Sequence, residues 1–142
     1  MICRYHSSEP FRFCLSVVTP NSTRIGSFFH MDLCPTLTNF LYLRGKYVQQ
    51  PPLRPAVILL DLNLPGTDGR EVLEEVKRDP KLKSIPIVVI STSSNPIDIE
   101  TSYQNGANSY IVKEVNFTAF KIAMQIFEDY WFRITTLPNE PF

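Results

Sequence analysis

The chain has 142 residues, enough for one domain with a full core and little besides. Fourteen Lys and Arg balance fourteen Asp and Glu, so net charge points to neither nucleic acid nor anionic lipid as a partner. The three cysteines, Cys3, Cys14 and Cys34, are irregularly spaced and suit a reducing cytoplasm better than a disulfide framework or a metal cluster. No apolar run reaches the roughly twenty residues that span a bilayer, and no charged stretch followed by an apolar one opens the chain. A cytoplasmic protein that does not span a membrane is expected.

In chain order, residues 1–36 stand apart. Between Met1 and Met31 the only acid is Glu9, and the best apolar run, Phe13-Cys14-Leu15-Ser16-Val17-Val18, ends on Thr19-Pro20-Asn21. Neither a helical period nor recognisable turn chemistry organises this part. Residues 38–44 read as the end of a helix stopped at Gly45, followed by a Pro-rich loop over 49–55. Val57-Ile58-Leu59-Leu60 is a continuous aliphatic run ending on Asp61, the pattern of a strand covered on both faces, as in a parallel sheet. Asp68 can cap a helix carrying Val72, Leu73 and Val76 and ending near Asp79-Pro80. Ile85-Pro86-Ile87-Val88-Val89-Ile90 is a second buried strand and ends on Ser91. Ser94 or Asn95 can cap a helix with Pro96 at its first position, running to Asn105-Gly106. Ser109-Tyr110-Ile111-Val112 is a third strand, ending on Lys113, and Asn116 can cap a last helix. Strands alternating with helices predict a doubly wound α/β sheet.

The three runs would deliver a carboxylate, a hydroxyl and an ammonium to one sheet edge, the carboxyl end of the strands, where open α/β sheets bind ligands. Each residue alone has a plain structural explanation: a turn for Asp61, a helix cap for Ser91, a solvated edge charge for Lys113. Together they are what nucleophilic attack on a phosphoryl group requires, because that group carries its charge on its outer oxygens.

The stretches LLDLNLPGTDGREVLEEVKRD, IPIVVIS and NGANSYIVK resemble the receiver domains of two-component response regulators. The intervals agree as well: Ser91 follows Asp61 by 91 − 61 = 30 positions and Lys113 follows it by 113 − 61 = 52. The resemblance implies a flavodoxin-like, CheY-like fold with a five-stranded parallel sheet and helices on both faces, its first strand region atypical here. It implies that Asp61 accepts the phosphoryl group, that Ser91 contacts it and that Lys113 pairs with it. Tyr110 takes the position of the aromatic switch, and Asn63 the position whose backbone carbonyl ligates Mg²⁺. FLYLRGKY, ISTSSNPIDIE and FEDYWFRITTLP are further similar to the small response regulators that serve cyanobacterial and bacterial phytochromes. The receiver is thus expected over residues 37–138, with no separate output domain.

The last helix carries Phe117, Phe120, Met124, Phe127 and Trp131 on one face and Ile122, Ile126, Tyr130 and Ile134 as a second stripe. A helix apolar nearly all round is deeply buried or paired with another chain. A homodimer is expected, with Phe120, Met124, Phe127 and Trp131 in the interface.

The sequence departs from the family in three places. The adjacent acidic residues that hold Mg²⁺ beside the acceptor are not found, so metal should bind poorly. Three explanations stand open: a scrambled or frame-shifted start, which the irregular pattern favours, a metal-independent receiver, or a packing that brings Glu9 or Asp32 to the site. Lys113 precedes Glu114 where the family has proline, which favours a trans bond there and leaves the lysine's aim open. Thr92 stands where a small residue commonly follows the strand-end hydroxyl, and its bulk is expected to hinder water.

The leading expectation is a non-enzymatic phosphoacceptor partnered by a histidine kinase, on the narrower resemblance a phytochrome. The alternative is a pseudo-receiver, a constitutive binding or dimerising module without the chemistry. A hydrolase working through an aspartyl phosphate is disfavoured, because His6 and His30 lie far from Asp61 in sequence.

Overall fold

A computed structural model describes residues 15–18, 28–30, 34–49, 55–64 and 67–137. Glu9 and Asp32, together with Cys3, Cys14 and His6, lie outside the described residues, as does the bearing of any frame shift on the first segment.

Three adjacent parallel strands form one side of the sheet, with β7 at its edge: β3 (Val57–Asp61), β6 (Ile87–Ser91) and β7 (Ser109–Val112). Every residue of β3 and β6 is buried, as their unbroken aliphatic sequences predict. Alternate side chains go to opposite faces. Ile58, Leu60, Ile87 and Val89 meet Leu37, Phe40 and Leu41 of α1 (Cys34–Leu41) and Val72, Leu73 and Val76 of α2 (Gly69–Arg78). Val57, Leu59, Val88 and Ile90 meet Phe120 and Phe127 of α4 (Phe117–Asp129). Each fully buried Ile or Leu contributes about 1.5–3 kcal/mol of apolar transfer, so this two-sided burial dominates stability.

An all-parallel five-stranded sheet is not what forms. The strand order is β2-β1-β3-β6-β7, and β1 (Leu15–Val18) runs antiparallel both to β3 and to β2 (Phe28–His30). Parallel neighbours need a crossover of about a dozen residues or more. Only positions 19–27 separate β1 from β2, so these two close as an antiparallel pair, and β1 adds itself to the open edge of β3.

The predicted helix boundaries hold where capping chemistry marks them. Asp68 caps α2 by accepting from the Arg70 amide at 2.9 Å. Asn95 caps α3 (Pro96–Gln104) by accepting from the Ile97 amide at 2.9 Å, with Pro96 opening the helix. Asn116 caps α4 through the amides of Thr118 and Ala119. Helix α1 ends at Leu41, short of the expected stop at Gly45: Leu43, with φ of +51°, makes the left-handed turn, and Gly45, with φ of +58°, opens a 3₁₀ turn, Gly45–Tyr47. Two features lack such sequence signals: a short antiparallel pair, β4 (Asn63–Leu64) with β5 (Thr67–Asp68), and a π-helical turn, Tyr130–Ile134, that continues α4. Among the described residues no helix is long and apolar enough to cross a membrane.

Helices α1 and α2 are joined by a tyrosine. Tyr42 donates to Asp79 Oδ2 at 2.8 Å, and burial, then the bond to Asp79, pushes the phenol up to about 12. A phenol that binds its proton more tightly when folded than at its unfolded value near 10 lends stability that is whole below about pH 10. That stability is lost as pH climbs toward 12. Urea unfolding between pH 8 and pH 12 is therefore expected to show a loss above pH 10 that Tyr42→Phe reduces.

Candidate phosphoacceptor site

Asp61, Ser91 and Lys113 are brought together by strand register. Asp61 lies opposite Ile90, the residue before Ser91, and Ser91 lies opposite Val112, the residue before Lys113. One more rung, the Lys113 amide on the Ser91 carbonyl at 2.7 Å, extends the β6–β7 ladder past Val112 and holds the lysine backbone over the edge. No cis peptide bond occurs among the described residues, so the Lys113–Glu114 bond is trans, and the lysine still reaches the Asp61 carboxylate.

The Asp61 side chain is 8% exposed and that of Lys113 10%, and the ammonium donates to Asp61 Oδ2. The other oxygen, Oδ1, accepts from the Asn63 amide at 2.9 Å. The chain can turn this sharply because α2 begins against the end of β3. The Gly69 amide bonds to the Leu62 carbonyl at 3.1 Å, and a Cβ on Gly69 would stand 2.8 Å from Leu62 Cα. Only glycine fits there.

Ser91 is fully buried. Its Oγ accepts from the Ser93 amide at 3.1 Å and lies 3.4 Å from Asn63 Nδ2, which also reaches Thr92 Oγ1 at 3.3 Å. Tyr110 is half-buried against the α1–α2 side of the core and donates its hydroxyl to the Ser93 carbonyl at 3.0 Å, while its amide donates to the Tyr103 hydroxyl oxygen at 3.2 Å. Sequence reasoning missed the pairs beyond this set. Arg70 donates to Asp98 at 2.9 Å and Ser93 Oγ donates to Asp98 at 2.6 Å. The Ser93 hydroxyl, then Arg70, holds the Asp98 carboxyl below the usual carboxylate range. Arg70 and Asp98 are 28 positions apart, and nothing in local sequence pairs them.

Chemically, the edge presents a carboxylate whose two oxygens are held by an ammonium and an amide, beside a buried hydroxyl. Among the described residues no group of three His, Cys, Asp or Glu converges as a metal site. Mg²⁺ is commonly held by one or two carboxylates, waters and phosphate oxygens. The single Asp61 carboxylate meets the lower end of that requirement, with the Asn63 carbonyl as the further donor the family resemblance names.

Phe120, Met124, Phe127 and Trp131, expected at a subunit interface, face the sheet instead. Phe120 is 3% and Phe127 5% exposed, and Met124 and Trp131 pack beside them. The open stripe of the last helix and its π turn is Ile122, Ile126, Tyr130 and Ile134, each more than half exposed. The distinction rests on which stripe meets Val57, Leu59, Val88 and Ile90, which composition alone does not decide.

Three adjacent parallel strands carry an aspartate, a serine and a lysine at their carboxyl edge, an arrangement of the α/β class suited to receiving a phosphoryl group. Residues 46–125 match the response regulator receiver domain, and the chain belongs to that family. It is similar to response regulator Rcp1 of Synechocystis sp., at 46% identity over 99 residues, 70% of this chain and 66% of that protein. A probable methanogenesis regulatory protein of Methanothrix harundinacea is 42% identical over 77 residues, 54% of this chain and 50% of that protein. The chain thus spans two thirds or less of these curated relatives. Among solved structures, the phosphorylated cyanobacterial phytochrome response regulator RcpA superposes with a TM-score of 0.76 at 42% identity, covering 84% of each chain. The Mn²⁺-bound form of Rcp1 superposes with a TM-score of 0.69 at 44% identity, covering 73% of each.

Removing one partner of a buried ion pair strands the other charge, at a cost of about 3–5 kcal/mol. Lys113→Met is expected to lower unfolding free energy in urea by that order. Asp61→Asn/Lys113→Met should recover much of the loss, because the stranded carboxylate is gone.

Proposed function

We propose that the chain is a single-domain response regulator that accepts a phosphoryl group on Asp61 from a histidine kinase of the phytochrome type. The observation that carries this reading is the contact of Lys113 with Asp61 at the strand edge that also holds Ser91. The likeness to RcpA, a cyanobacterial phytochrome response regulator, supports the phytochrome connection. Residues 37–138 would form the receiver.

In the transfer, an Asp61 oxygen attacks phosphorus, and an O–P bond forms as the N–P bond of the phosphohistidine breaks. The electron pair of that bond stays on the imidazole nitrogen. Lys113 remains beside the outer oxygens and balances their charge, and Ser91 donates its hydroxyl hydrogen to one of them. A divalent cation, held by the Asp61 carboxylate and the Asn63 carbonyl, would supply further charge neutralisation. Tyr110 and Ser91 then report the new charge to the surface. Thr92, its hydroxyl near Asn63, narrows the approach of water to the acyl phosphate.

A constitutive pseudo-receiver is the weaker reading, because it gives no role to an ammonium held on a buried carboxylate. Acetyl phosphate with Mg²⁺ is expected to give a hydroxylamine-labile phosphoryl adduct by intact mass, absent in Asp61→Asn. A folded protein that forms no adduct would leave the pseudo-receiver.

The partner of the open stripe would be a second copy. Ile122, Ile126, Tyr130 and Ile134 recur every fourth residue along one side of the helix and its π turn, a continuous apolar seam of the kind that pairs symmetrically. Sedimentation velocity is expected to show a dimer that Ile126→Glu converts to a monomer. A monomer in the unsubstituted protein removes the dimer from the proposal.

A further inference from the structure

The polar contacts linking α2, the segment after β6 and α3 converge on one residue. Ser93 is held at its amide, its carbonyl and its hydroxyl. The amide donates to Ser91 Oγ at 3.1 Å and the carbonyl accepts from Tyr110 at 3.0 Å. The hydroxyl donates to Asp98 Oδ2 at 2.6 Å and accepts from the Asn95 amide at 3.2 Å. Asp98 is itself fixed through its other oxygen, Oδ1, by Arg70 at 2.9 Å. Arg70 is anchored in turn at the start of α2 by Asp68 at 3.1 Å. A chain of charge-assisted bonds thus runs from α2 through the first turn of α3 to the backbone beside Ser91.

Its consequence lies in the valence of the Ser91 hydroxyl. A hydroxyl has two lone pairs and one hydrogen. Ser91 Oγ receives the Ser93 amide on one side and faces Asn63 Nδ2 at 3.4 Å on another. With both lone pairs turned to donors, the hydrogen is directed away from them and is the remaining capacity of the group. Ser91 is fully buried, so this orientation is set by protein contacts.

We propose that Arg70 and Asp98 are positioning residues for phosphoryl recognition: they hold the Ser93 amide on Ser91, so that the Ser91 hydrogen is aimed at an oxygen of the group on Asp61. The inference rests on the reading of Asp61 as the phosphoacceptor. Arg70 and Asp98 act through Ser93 and touch neither Asp61 nor its adduct. Their side chains are 33% and 28% exposed, and an ion pair of that exposure adds little to global stability. Aim and stability therefore separate in the measurement.

The probe is beryllofluoride, a mimic of the bound phosphoryl group, titrated calorimetrically into the full chain with excess Mg²⁺. The unsubstituted protein binds and Asp61→Asn does not. Asp98→Ala is expected to weaken binding roughly tenfold, the scale of one misdirected hydrogen bond to a charged group, with its melting temperature nearly unchanged. Arg70→Ala weakens binding and Arg70→Lys restores part of it. Asp98→Ala/Ser93→Ala is no weaker than Asp98→Ala alone, since the two act as one unit. Amide exchange in the free protein gives a second readout, with protection of the Ser93 amide falling in Asp98→Ala. Binding by Asp98→Ala equal to the unsubstituted protein overturns the inference while leaving the phosphoacceptor intact. Absence of binding in the folded unsubstituted protein overturns the phosphoacceptor reading and the inference with it. If Asp98→Ala does not fold, Ser93→Ala decides: roughly tenfold weaker binding upholds the inference and unchanged affinity refutes it.

Discussion

The hydrogen bond from the Lys113 amide to the Ser91 carbonyl is the constraint on which the site depends. It is the last rung of a parallel ladder, and parallel rungs are evenly spaced, so the offset it sets between β6 and β7 is shared by the whole pair. Because β3 and β6 are registered in the same way, Asp61 comes to the same edge. A slip of one residue in either pair would turn the strand-end group to the opposite face and break the Asp61–Lys113 contact. The aliphatic residues of β3 and β6, buried on both faces, make such a slip costly for those strands. The force that secures the chemistry is therefore apolar burial beneath it.

That arrangement explains why a charged pair can be so well covered. Asp61 loses most of its water and receives an ammonium and an amide in exchange, so each oxygen is accounted for. Gly69 allows the chain to leave β3, make a short hairpin and start α2 against the Leu62 backbone. The amides that hold Asp61 and Ser91 come from two turns, after β3 and after β6, each braced by a helix start. Rigid elements beneath and capped helices beside are what a site needs to keep its geometry.

The surfaces follow from the same packing. Once Phe120 and Phe127 are committed to Val57, Leu59, Val88 and Ile90, the remaining apolar residues of the last helix must face outward. On the other side, β1 pairs antiparallel with β3 and β2 antiparallel with β1, so neighbouring strands are parallel only from β3 to β7, where α2 and α3 form the crossovers.

Much of this was legible in the residues themselves. Val57 to Leu60 ending on Asp61, and the run ending on Ser91, identified buried strands because an unbroken aliphatic stretch has no polar face to expose. Asp68, Asn95 and Asn116 marked helix starts because a short polar side chain satisfies amides only from just before the first turn. These signals are local, and they suffice for the order of β3, α2, β6, α3, β7 and α4 and for the three adjacent parallel strands. The tertiary structure alone decided the antiparallel entry of β1 and which stripe of α4 is buried. It also decided the Arg70–Asp98–Ser93 chain behind the hydroxyl and the reach of Lys113 across a trans bond. Each depends on which surfaces meet, a property of packing between residues distant in sequence, and no local pattern encodes it.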